Sequence, residues 1–253
     1  MVPQHVLITG ASSGIGRALA LHYARSGAQL SLTGRDAERL AAVAAACRGL
    51  GSEVEEGLID VRDREAMRDW IVAQDTTAPL DLLIANAGIS GGTGGPKGEK
   101  EEKARRIFAV NVEGMINTIA PAMPLMIARG RGQIGIMSSL ASFLGFAGAP
   151  AYCGSKAAVR VYGEGLRGEL GRRGVGVSVI CPGFVKSPMT DSNSYPMPFL
   201  MDSDRAARII AKGLDRNRGR IAFPWPTYAL ARVLGGMPVP LSDWLTRRLP
   251  KKV

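Results

Sequence analysis

The chain has 253 residues, of which 46% are hydrophobic and 21% charged, a composition that excludes wholesale disorder and suffices for a self-supporting α/β core. The formal net charge of +10 is unevenly spread: residues 1–204 carry 21 basic and 20 acidic side chains, whereas residues 205–253 carry 11 and 2. Because the first two hundred residues are nearly neutral and the basic end has no groove-reading motif, we expect no nucleic-acid partner.

Short apolar runs alternate along the chain with stretches of helical periodicity. The runs predict strands at residues 4–9, 28–33, 53–59, 81–85, 132–137, 175–181 and 219–223, and the stretches between them predict helices at 14–26, 36–49, 63–74, 100–128, 150–173 and 202–215. Several strands are apolar almost throughout, as in parallel sheets covered on both faces. We therefore predict one α/β domain over residues 1–253, a Rossmann-type doubly wound parallel sheet of about seven strands flanked by helices on both faces.

Cysteine spacing and the first residues bear on location. Cys47, Cys153 and Cys181 lie far apart without the spacing of a metal site, so we expect buried thiols, no metal and a reducing compartment. The first strand begins almost at Met1, which leaves no room for a signal peptide, and no apolar run is long enough to span a bilayer. A cytoplasmic location is expected.

A glycine-rich turn connects the first predicted strand to a helix, with the spacing G-x-x-x-G-x-G rather than G-x-G-x-x-G. Glycines let the backbone approach a pyrophosphate, whose charge is held by amide N–H groups at the helix N-terminus. The turn predicts a dinucleotide site; a purely structural turn is the alternative. The residues predicted to contact the cofactor here are Gly10, Ser12, Ser13, Gly14, Ile15 and Gly16.

The end of the second strand indicates which cofactor is bound. In such folds a carboxylate about 20 residues after the glycine turn selects NAD through the ribose hydroxyls. Gly34 stands at that position, and Arg35 follows with a planar fork of donors that suits a 2′-phosphate. We therefore predict NADP(H). The alternatives are NAD(H), with Arg35 as a solvated loop residue and Asp36 as a helix cap.

Tyr152 and Lys156 are four residues apart on a predicted helix, which places both side chains on one face, one turn apart. A nearby ammonium favours phenolate and lowers the pKa of tyrosine. Reaching a pKa near 7 from near 10 requires about 4 kcal/mol. Such a phenol can donate a proton to a carbonyl oxygen or withdraw it in reverse.

Together with its other motifs, the chain resembles the short-chain dehydrogenase/reductase family over about residues 4–222. The pieces that carry the resemblance occur in the family's order and at its spacing. They are Thr9 to Gly16, Asp60-Val61, Asn86-Ala87-Gly88, Asn111, Ser138-Ser139, Tyr152 to Lys156, and Pro182-Gly183.

The resemblance implies catalytic roles for four residues. Tyr152 would be the proton donor and acceptor, and Lys156 would tune it and bind the nicotinamide ribose. Ser139 would hydrogen-bond the substrate oxygen, and Asn111 would help hold a water in a proton relay towards Lys156. Two alternatives stay open: Asn111 could instead cap a helix kink, and Ser138 could take the place of Ser139.

The resemblance also implies further cofactor contacts. Asp60 and Val61 would border the adenine, and the residues after the fourth strand would pack along the cofactor. The segment after the sixth strand would cover the nicotinamide carboxamide, with Ser187 where the family usually has threonine. The remaining predicted contacts are Asn86, Ala87, Gly88, Tyr152, Lys156, Pro182, Gly183, Val185 and Ser187.

Residues 187–201 are rich in Pro and Met and follow this segment. Flexible apolar side chains near the nicotinamide suit an adaptable lid over an apolar substrate. Apart from Lys186 no clamp for a carboxylate or phosphate is present, so we expect a lipophilic ketone, aldehyde or acyl-type substrate. A loop that simply packs on its own protein is the alternative.

The chain continues for thirty residues beyond the seventh strand, forming a basic, amphipathic extension at about 224–253. Leu241, Trp244, Leu245 and Leu249 fall on one helical stripe, followed by Lys251 and Lys252. This composition suits either peripheral contact with a membrane interface or burial against a sister subunit. Family resemblance implies a homodimer or homotetramer.

We therefore expect an NADP(H)-dependent oxidoreductase that interconverts a carbonyl and an alcohol. Two other readings are weighed against it: an NAD-dependent alcohol dehydrogenase of the same family and a non-catalytic cofactor-binding protein. The second is disfavoured because all four catalytic positions are intact.

Overall fold

The computed structural model describes residues 3–92, 98–191, 193 and 195–246, except for the side chains of Asp243 and Thr246. Every residue predicted to contact cofactor or substrate oxygen is among them. Leu249, Lys251 and Lys252 of the predicted C-terminal stripe lie outside the described residues.

Within the described residues, seven strands form one sheet in which all neighbours run parallel. They follow the order β3-β2-β1-β4-β5-β6-β7, which confirms the predicted doubly wound fold. The order reverses between β1 and β4, and in such sheets ligands bind in the crevice at the carboxyl ends of the strands beside this reversal. The strands are β1 (His5–Thr9), β2 (Gln29–Gly34), β3 (Val54–Leu58), β4 (Leu82–Ala85), β5 (Gly132–Met137), β6 (Val175–Pro182) and β7 (Arg220–Phe223).

Helices cover both faces of the sheet. Val6 and Ile8 belong to the core beneath one set of helices and Leu7 to the core beneath the other, because successive side chains of a strand point to opposite faces. The first set is α1 (Gly14–Ala24), α2 (Ala37–Arg48) and α9 (Ser203–Asp215). The second set includes α3 (Arg64–Thr77), α5 (Gly114–Ile119), α6 (Ala122–Arg129) and α7 (Pro150–Leu170).

The single helix predicted at residues 100–128 is interrupted. Helix α4 (Glu101–Phe108) passes into a π-helical turn at Ala109–Glu113 before α5 begins, and α6 starts only after a break. Pro121 caps the start of α6, where its missing N–H costs nothing. The π-helical turn contains Asn111, and such turns occur mostly at functional sites.

The structure also has helices that the sequence did not predict. A 3₁₀ turn at Leu140–Phe143 follows β5, a single turn α8 (Pro188–Asp191) lies within the Pro- and Met-rich segment, and α10 (Trp225–Gly235) follows β7 directly. A last helix, α11 (Val239–Thr246), covers the described part of the predicted amphipathic stripe.

None of the helices in the described ranges combines the length and the apolar character needed to cross a bilayer. The same part of the chain contains no group of three or more His, Cys, Asp or Glu side chains that could hold a metal ion. Cys47, Cys153 and Cys181 are buried, as predicted.

Candidate active site

The glycine turn after β1 has the backbone conformation that only glycine adopts without strain. Gly10 has φ +67° and Gly14 has φ +53°. A Cβ on Gly10 would lie 2.8 Å from Cα of Ala87, and one on Gly16 would collide with the carbonyl oxygen of Gly10. The turn is therefore folded tightly against the end of β4, and at Gly10 and Gly16 no side chain fits.

Helix α1 begins in this turn with the free N–H groups of an anion site. Ser13 occupies the N-cap position but makes no side-chain cap hydrogen bond, and the first turn contains no acidic residue. Helices α2 and α3 differ, since Asp36 and Asp63 accept from the amides of Arg39 and Ala66. Uncapped N–H groups and the positive helix end suit the pyrophosphate of a dinucleotide, so the turn fits such a cofactor.

Residues after β4 are hydrogen-bonded to the glycine turn. The side chain of Asn86 donates to the carbonyl oxygens of Thr9 (3.0 Å) and Gly10 (3.1 Å), while the backbone amides of Asn86 and Ala87 donate to the hydroxyl of Thr9. Thr9, which sequence reasoning did not assign, thus links the ends of the two central strands. The available signal for Thr9 in the sequence was its position as a polar residue at the end of an apolar strand.

The residues at the ends of β2 and β3 lie close together. One guanidinium nitrogen of Arg35 is 3.8 Å from the carboxylate of Asp60, which also accepts from the side chain and backbone amide of Arg62. The hydrogen bonds from Arg62 hold the pKa of Asp60 below its usual value. Val61 is buried and packs close to Gly114 at the start of α5. Asp36 caps α2. This cap is part of the alternative in which Arg35 is a solvated loop residue and the cofactor is NAD(H).

A depression of about 420 Å³ lies beside the glycine turn. Three basic side chains line it: Arg17 of α1, Arg39 of α2 and Lys186 after β6. Ser12, Ser13 and Gly14 form another part of its wall. Of the three basic residues the sequence indicated only Lys186, because they belong to three separate segments whose convergence no spacing signals.

Lys156 is buried, and its ammonium donates to the carbonyl oxygen of Met137 at 2.9 Å. A Cβ on Gly88 would lie 3.2 Å from both this ammonium and Oδ1 of Asn111, so a side chain here would crowd both groups. Burial lowers the pKa of Lys156 to about 8. The ammonium therefore loses part of its charge within the working pH range.

The hydroxyl of Ser139 lies close to the phenol of Tyr152 and opposes the rise of its pKa. Tyr152 is half-buried and Ser139 is buried, and Nζ of Lys156 is 6.0 Å from the centre of the Tyr152 ring. The structure thus brings together three of the four predicted catalytic residues at the carboxyl end of β5 and the start of α7.

The expectation that a nearby cation lowers the pKa of Tyr152 is wrong for the free protein. Loss of water around the phenol raises this pKa to about 12, and the hydrogen bond with Ser139 opposes the rise only in part. The physical reason is that desolvation penalises phenolate, while Lys156 directs its ammonium to the Met137 carbonyl.

Ser138 and Ser139 have different partners. The hydroxyl of Ser138 donates to the backbone carbonyl of Lys156 at 2.8 Å, inside the protein. Ser139 accepts from the amide of Ala141 and so caps the 3₁₀ turn while facing Tyr152. Of the two serines, Ser139 is the one whose hydroxyl acts on the phenol of Tyr152.

Asn111 lies in the π-helical turn with its side chain satisfied on both sides. Its Oδ1 accepts from the amide of Ile89 (2.8 Å), and its Nδ2 donates to the carbonyl of Ile89 (3.0 Å) and to the hydroxyl of Ser155 (2.9 Å). Asn111 therefore connects the segment after β4 to α7, one residue before Lys156.

The segment after β6 lies against the glycine turn. The amide of Gly183 donates to the carbonyl of Phe223, and Val185 forms an isolated bridge with Met201. A Cβ on Gly14 would lie 3.0 Å from Cβ of Ser187. The hydroxyl of Ser139 lies 3.5 Å from the carbonyl of Pro182, so this segment borders both parts of the site.

Comparisons with known proteins agree with this geometry. The family model described as short chain dehydrogenase matches residues 4–197. An uncharacterized oxidoreductase of Myxococcus xanthus (strain DK1622) is 42% identical over 244 residues, which cover 96% of each chain.

Two solved structures are also similar. A short-chain dehydrogenase from Sphingobium yanoikuyae in complex with NADPH is 28% identical, with a TM-score of 0.82 over 97% of this chain and 96% of that one. A short chain dehydrogenase from Mycobacterium paratuberculosis bound to NAD is 21% identical, with a TM-score of 0.79 over 89% and 98%, which supports the fold alone.

The family model spans more than half of the chain, and the bacterial relative matches nearly its whole length. The chain therefore belongs to the short-chain dehydrogenase/reductase family, whose members are NAD(P)-dependent oxidoreductases acting on CH–OH and C=O groups.

Proposed function

We propose that this protein interconverts a carbonyl and an alcohol with NADP(H), on a lipophilic substrate, in one catalytic domain over residues 1–253 with an extension from about 224. The observation that carries the proposal is that Ser139, Tyr152 and the buried Lys156 lie together at the carboxyl end of β5 and the start of α7. A non-catalytic binding protein has no need for this arrangement.

The bound nicotinamide supplies or accepts the hydride. Ser139 orients the substrate oxygen, and Tyr152 donates its proton to that oxygen as negative charge develops. A phenol with a pKa of about 12 remains protonated at all working pH values, which suits the reducing direction. In the oxidising direction Tyr152 must lose its proton, which the positive charge of Lys156 favours.

Lys156 and Asn111 support this proton transfer. Lys156 holds the nicotinamide ribose and carries the charge that acts on Tyr152. Asn111 orders the residue before Lys156 through its hydrogen bond with Ser155, and it contributes to a proton relay towards the ammonium. The glycine turn, Asn86 to Gly88, and Pro182 to Ser187 hold the rest of the cofactor.

Preference for NADP(H) is supported by the charges at the end of β2. The side chain of Arg35 is 47% exposed and makes only a long ion pair with Asp60, and such surface pairs contribute little. Arg35 is thus free to bind a 2′-phosphate without giving up a strong partner. Arg39 and Arg17 add positive charge nearby, lining the depression at the glycine turn.

Replacing Arg35→Ala tests this preference. The loss of one or two charge-assisted hydrogen bonds is expected to weaken NADPH binding about tenfold or more and leave NADH binding unchanged. Fluorescence titration with each nucleotide measures both affinities. The matched control is Arg48→Ala, which removes an equally exposed arginine (48%) from the other end of α2.

Equal affinities of the wild-type protein for NADPH and NADH would overturn the cofactor proposal and favour an NAD-dependent alcohol dehydrogenase. Absence of binding to either would overturn both. A selective loss in Arg35→Ala with no change in Arg48→Ala would support it.

A lipophilic substrate is supported by apolar surfaces next to the candidate site. A depression of about 700 Å³, which Tyr152 does not line, lies beside the first turns of α7, and the described residues that line it carry no charge. Phe199 and Leu200 of the segment between α8 and α9 are exposed, and Tyr195 of that segment contacts the ring of Phe184. This segment supplies apolar side chains for a lid.

Replacing Tyr152→Phe tests the catalytic assignment. We expect kcat to fall by about 10²-fold or more, because the proton donor is lost, while NADPH affinity stays unchanged. A panel of apolar and charged carbonyls and alcohols, followed at the nicotinamide absorbance, gives the turnover and the substrate class. Tyr162→Phe, an exposed tyrosine on the same helix, is the control. Full turnover by Tyr152→Phe would contradict the assignment.

Assembly and location complete the proposal. We infer a homodimer or homotetramer from membership of the family and a cytoplasmic location from the reduced, buried thiols. Light scattering at several concentrations measures the subunit number.

A further inference from the structure

Helices α10 and α11 expose large apolar side chains at the C-terminal end of the described chain. Trp225 is 74% exposed, Val239 70% and Trp244 64%. Four more join them on the same two helices: Leu230, Val233, Leu241 and Leu245. Soluble monomeric proteins seldom expose so many large apolar side chains in one region of their surface.

The exposed apolar side chains of α10 share one side of the helix. At 3.6 residues per turn, Trp225, Leu230 and Val233 fall within an arc of about 140°. On the other side Ala231 is buried and Tyr228 makes an edge contact with Phe143. The helix is therefore fixed to the protein by one face and presents the other outward.

Positive charge borders this apolar face. Arg232 lies two turns after Trp225, and its guanidinium packs against Phe143 together with those of Arg160 and Arg220. Among the described residues the single carboxylate paired with these three arginines is Glu164, so the cluster keeps a net positive charge.

The sequence that follows α11 adds more positive charge. Residues 224–253 contain five basic side chains and one acidic side chain. Four of the five lie within the six residues that follow Thr246: Arg247, Arg248, Lys251 and Lys252.

We propose that α10 and α11 bind the surface of an anionic lipid bilayer. Tryptophans on an amphipathic surface suit the headgroup region, and flanking Arg and Lys are attracted to anionic lipid. A second copy of this chain fits less well, because a two-fold contact through this face would bring two positively charged surfaces together. Anionic lipid neutralises that charge.

Sedimentation of the full-length protein with vesicles tests the proposal. We expect it to pellet with vesicles of phosphatidylcholine mixed with phosphatidylglycerol, and about tenfold less with phosphatidylcholine alone. The double substitution Trp225→Ser, Trp244→Ser is expected to weaken binding to the anionic vesicles by about tenfold or more. Leu50→Ser, Val72→Ser, which removes exposed apolar side chains from elsewhere on the surface, is the control and should bind like wild type.

Tryptophan fluorescence gives a second readout. The chain contains three tryptophans, and only the half-buried Trp70 remains in the double variant. Anionic vesicles should shift the emission of the wild type to shorter wavelength and leave that of the double variant unchanged. Replacing Arg247, Arg248, Lys251 and Lys252 by Gln should reduce binding to the anionic vesicles about tenfold or more.

Failure of the wild type to pellet, or equal pelleting with both vesicle types, would overturn the proposal. Light scattering provides the remaining outcome: if the tryptophan double variant dissociates an oligomer that the wild type forms, a second copy covers this face and the lipid assignment is wrong. None of these readouts depends on NADP(H) or on turnover.

Discussion

At the scale of single residues, burial determines the ionisation of the candidate catalytic groups. The pKa of Tyr152 rises to about 12 and that of Lys156 falls to about 8, in each case because loss of water disfavours the charged form. At pH 7 Tyr152 is therefore a neutral phenol, whereas Lys156 still carries most of its positive charge. Charge on either of them costs stability, which is a measurable consequence.

Replacing Lys156→Met should reveal that cost. The folded pKa of about 8 lies below the unfolded value of about 10.4, so between these two values the unfolded chain binds more protons and stability from this group rises with pH. Below pH 8 the folded protein bears the full free-energy cost of burying the charged ammonium. From pH 7 to pH 9.5 the wild type should gain about 2 kcal/mol of unfolding free energy relative to Lys156→Met.

Urea unfolding of the cofactor-free proteins at the two pH values measures this difference. Lys212→Met is the control, because Lys212 is exposed on α9, and its difference from wild type should not change with pH. If the difference in unfolding free energy between wild type and Lys156→Met were also independent of pH, the buried ammonium would have to be stabilised by more than the Met137 carbonyl.

At the scale of elements, one partly buried ion pair connects the helices on the second face of the sheet. Arg129 at the end of α6 donates to Asp75 of α3 at 2.6 Å and to the carbonyl of Leu80 at 3.2 Å. The other oxygen of Asp75 accepts from the amide of Leu80 at 3.0 Å. Asp75 thus joins α3 and α6 to the start of β4.

Replacing Asp75→Ala should lower the free energy of unfolding by about 3 kcal/mol, because it leaves Arg129 and the Leu80 amide without their carboxylate. Asp69→Ala, which removes an exposed carboxylate from the same helix, should cost less than about 0.5 kcal/mol. Denaturant unfolding measures both. Similar values for the two variants would refute the role of Asp75.

The elements themselves were largely predictable. Strand boundaries agree with the sequence to within a residue or two, because most of the strands are apolar runs bounded by polar residues or glycine. The π-helical turn around Asn111 was not predictable: apolar periodicity continues through it, and the hydrogen bonds of Asn111 with Ile89 and Ser155 that accompany it join segments far apart in the sequence.

At the scale of the whole molecule, basic side chains lie where anions are expected to bind. Arg17, Arg39 and Lys186 line the depression at the glycine turn, and Arg39 and Lys186 each form an ion pair with an aspartate. Arg172 and Arg173 lie before β6, at the opposite ends of the strands. Local positive potential speeds the association of an anion at low ionic strength.

Stopped-flow binding of NADPH should therefore separate local from overall charge. The double substitution Arg17→Gln, Arg39→Gln is expected to slow association about fivefold at low salt. The difference should shrink at physiological salt, because the Debye screening length decreases as ionic strength rises. Arg172→Gln, Arg173→Gln removes the same charge from the far end and should change the rate much less. Equal effects of the two variants would show that net charge alone governs association.

The sequence by itself determined the order of strands and helices, the parallel sheet, the glycine turn and the residues that match the family, because these depend on local periodicity and spacing. Only the tertiary structure decided that the Lys156 ammonium binds the Met137 carbonyl, that the Ser138 hydroxyl is bound to the Lys156 carbonyl while that of Ser139 acts on Tyr152, and that desolvation raises the pKa of this phenol. The physical reason is that burial and hydrogen-bond partners arise from segments far apart in the chain, whose packing sets the local dielectric and the geometry together.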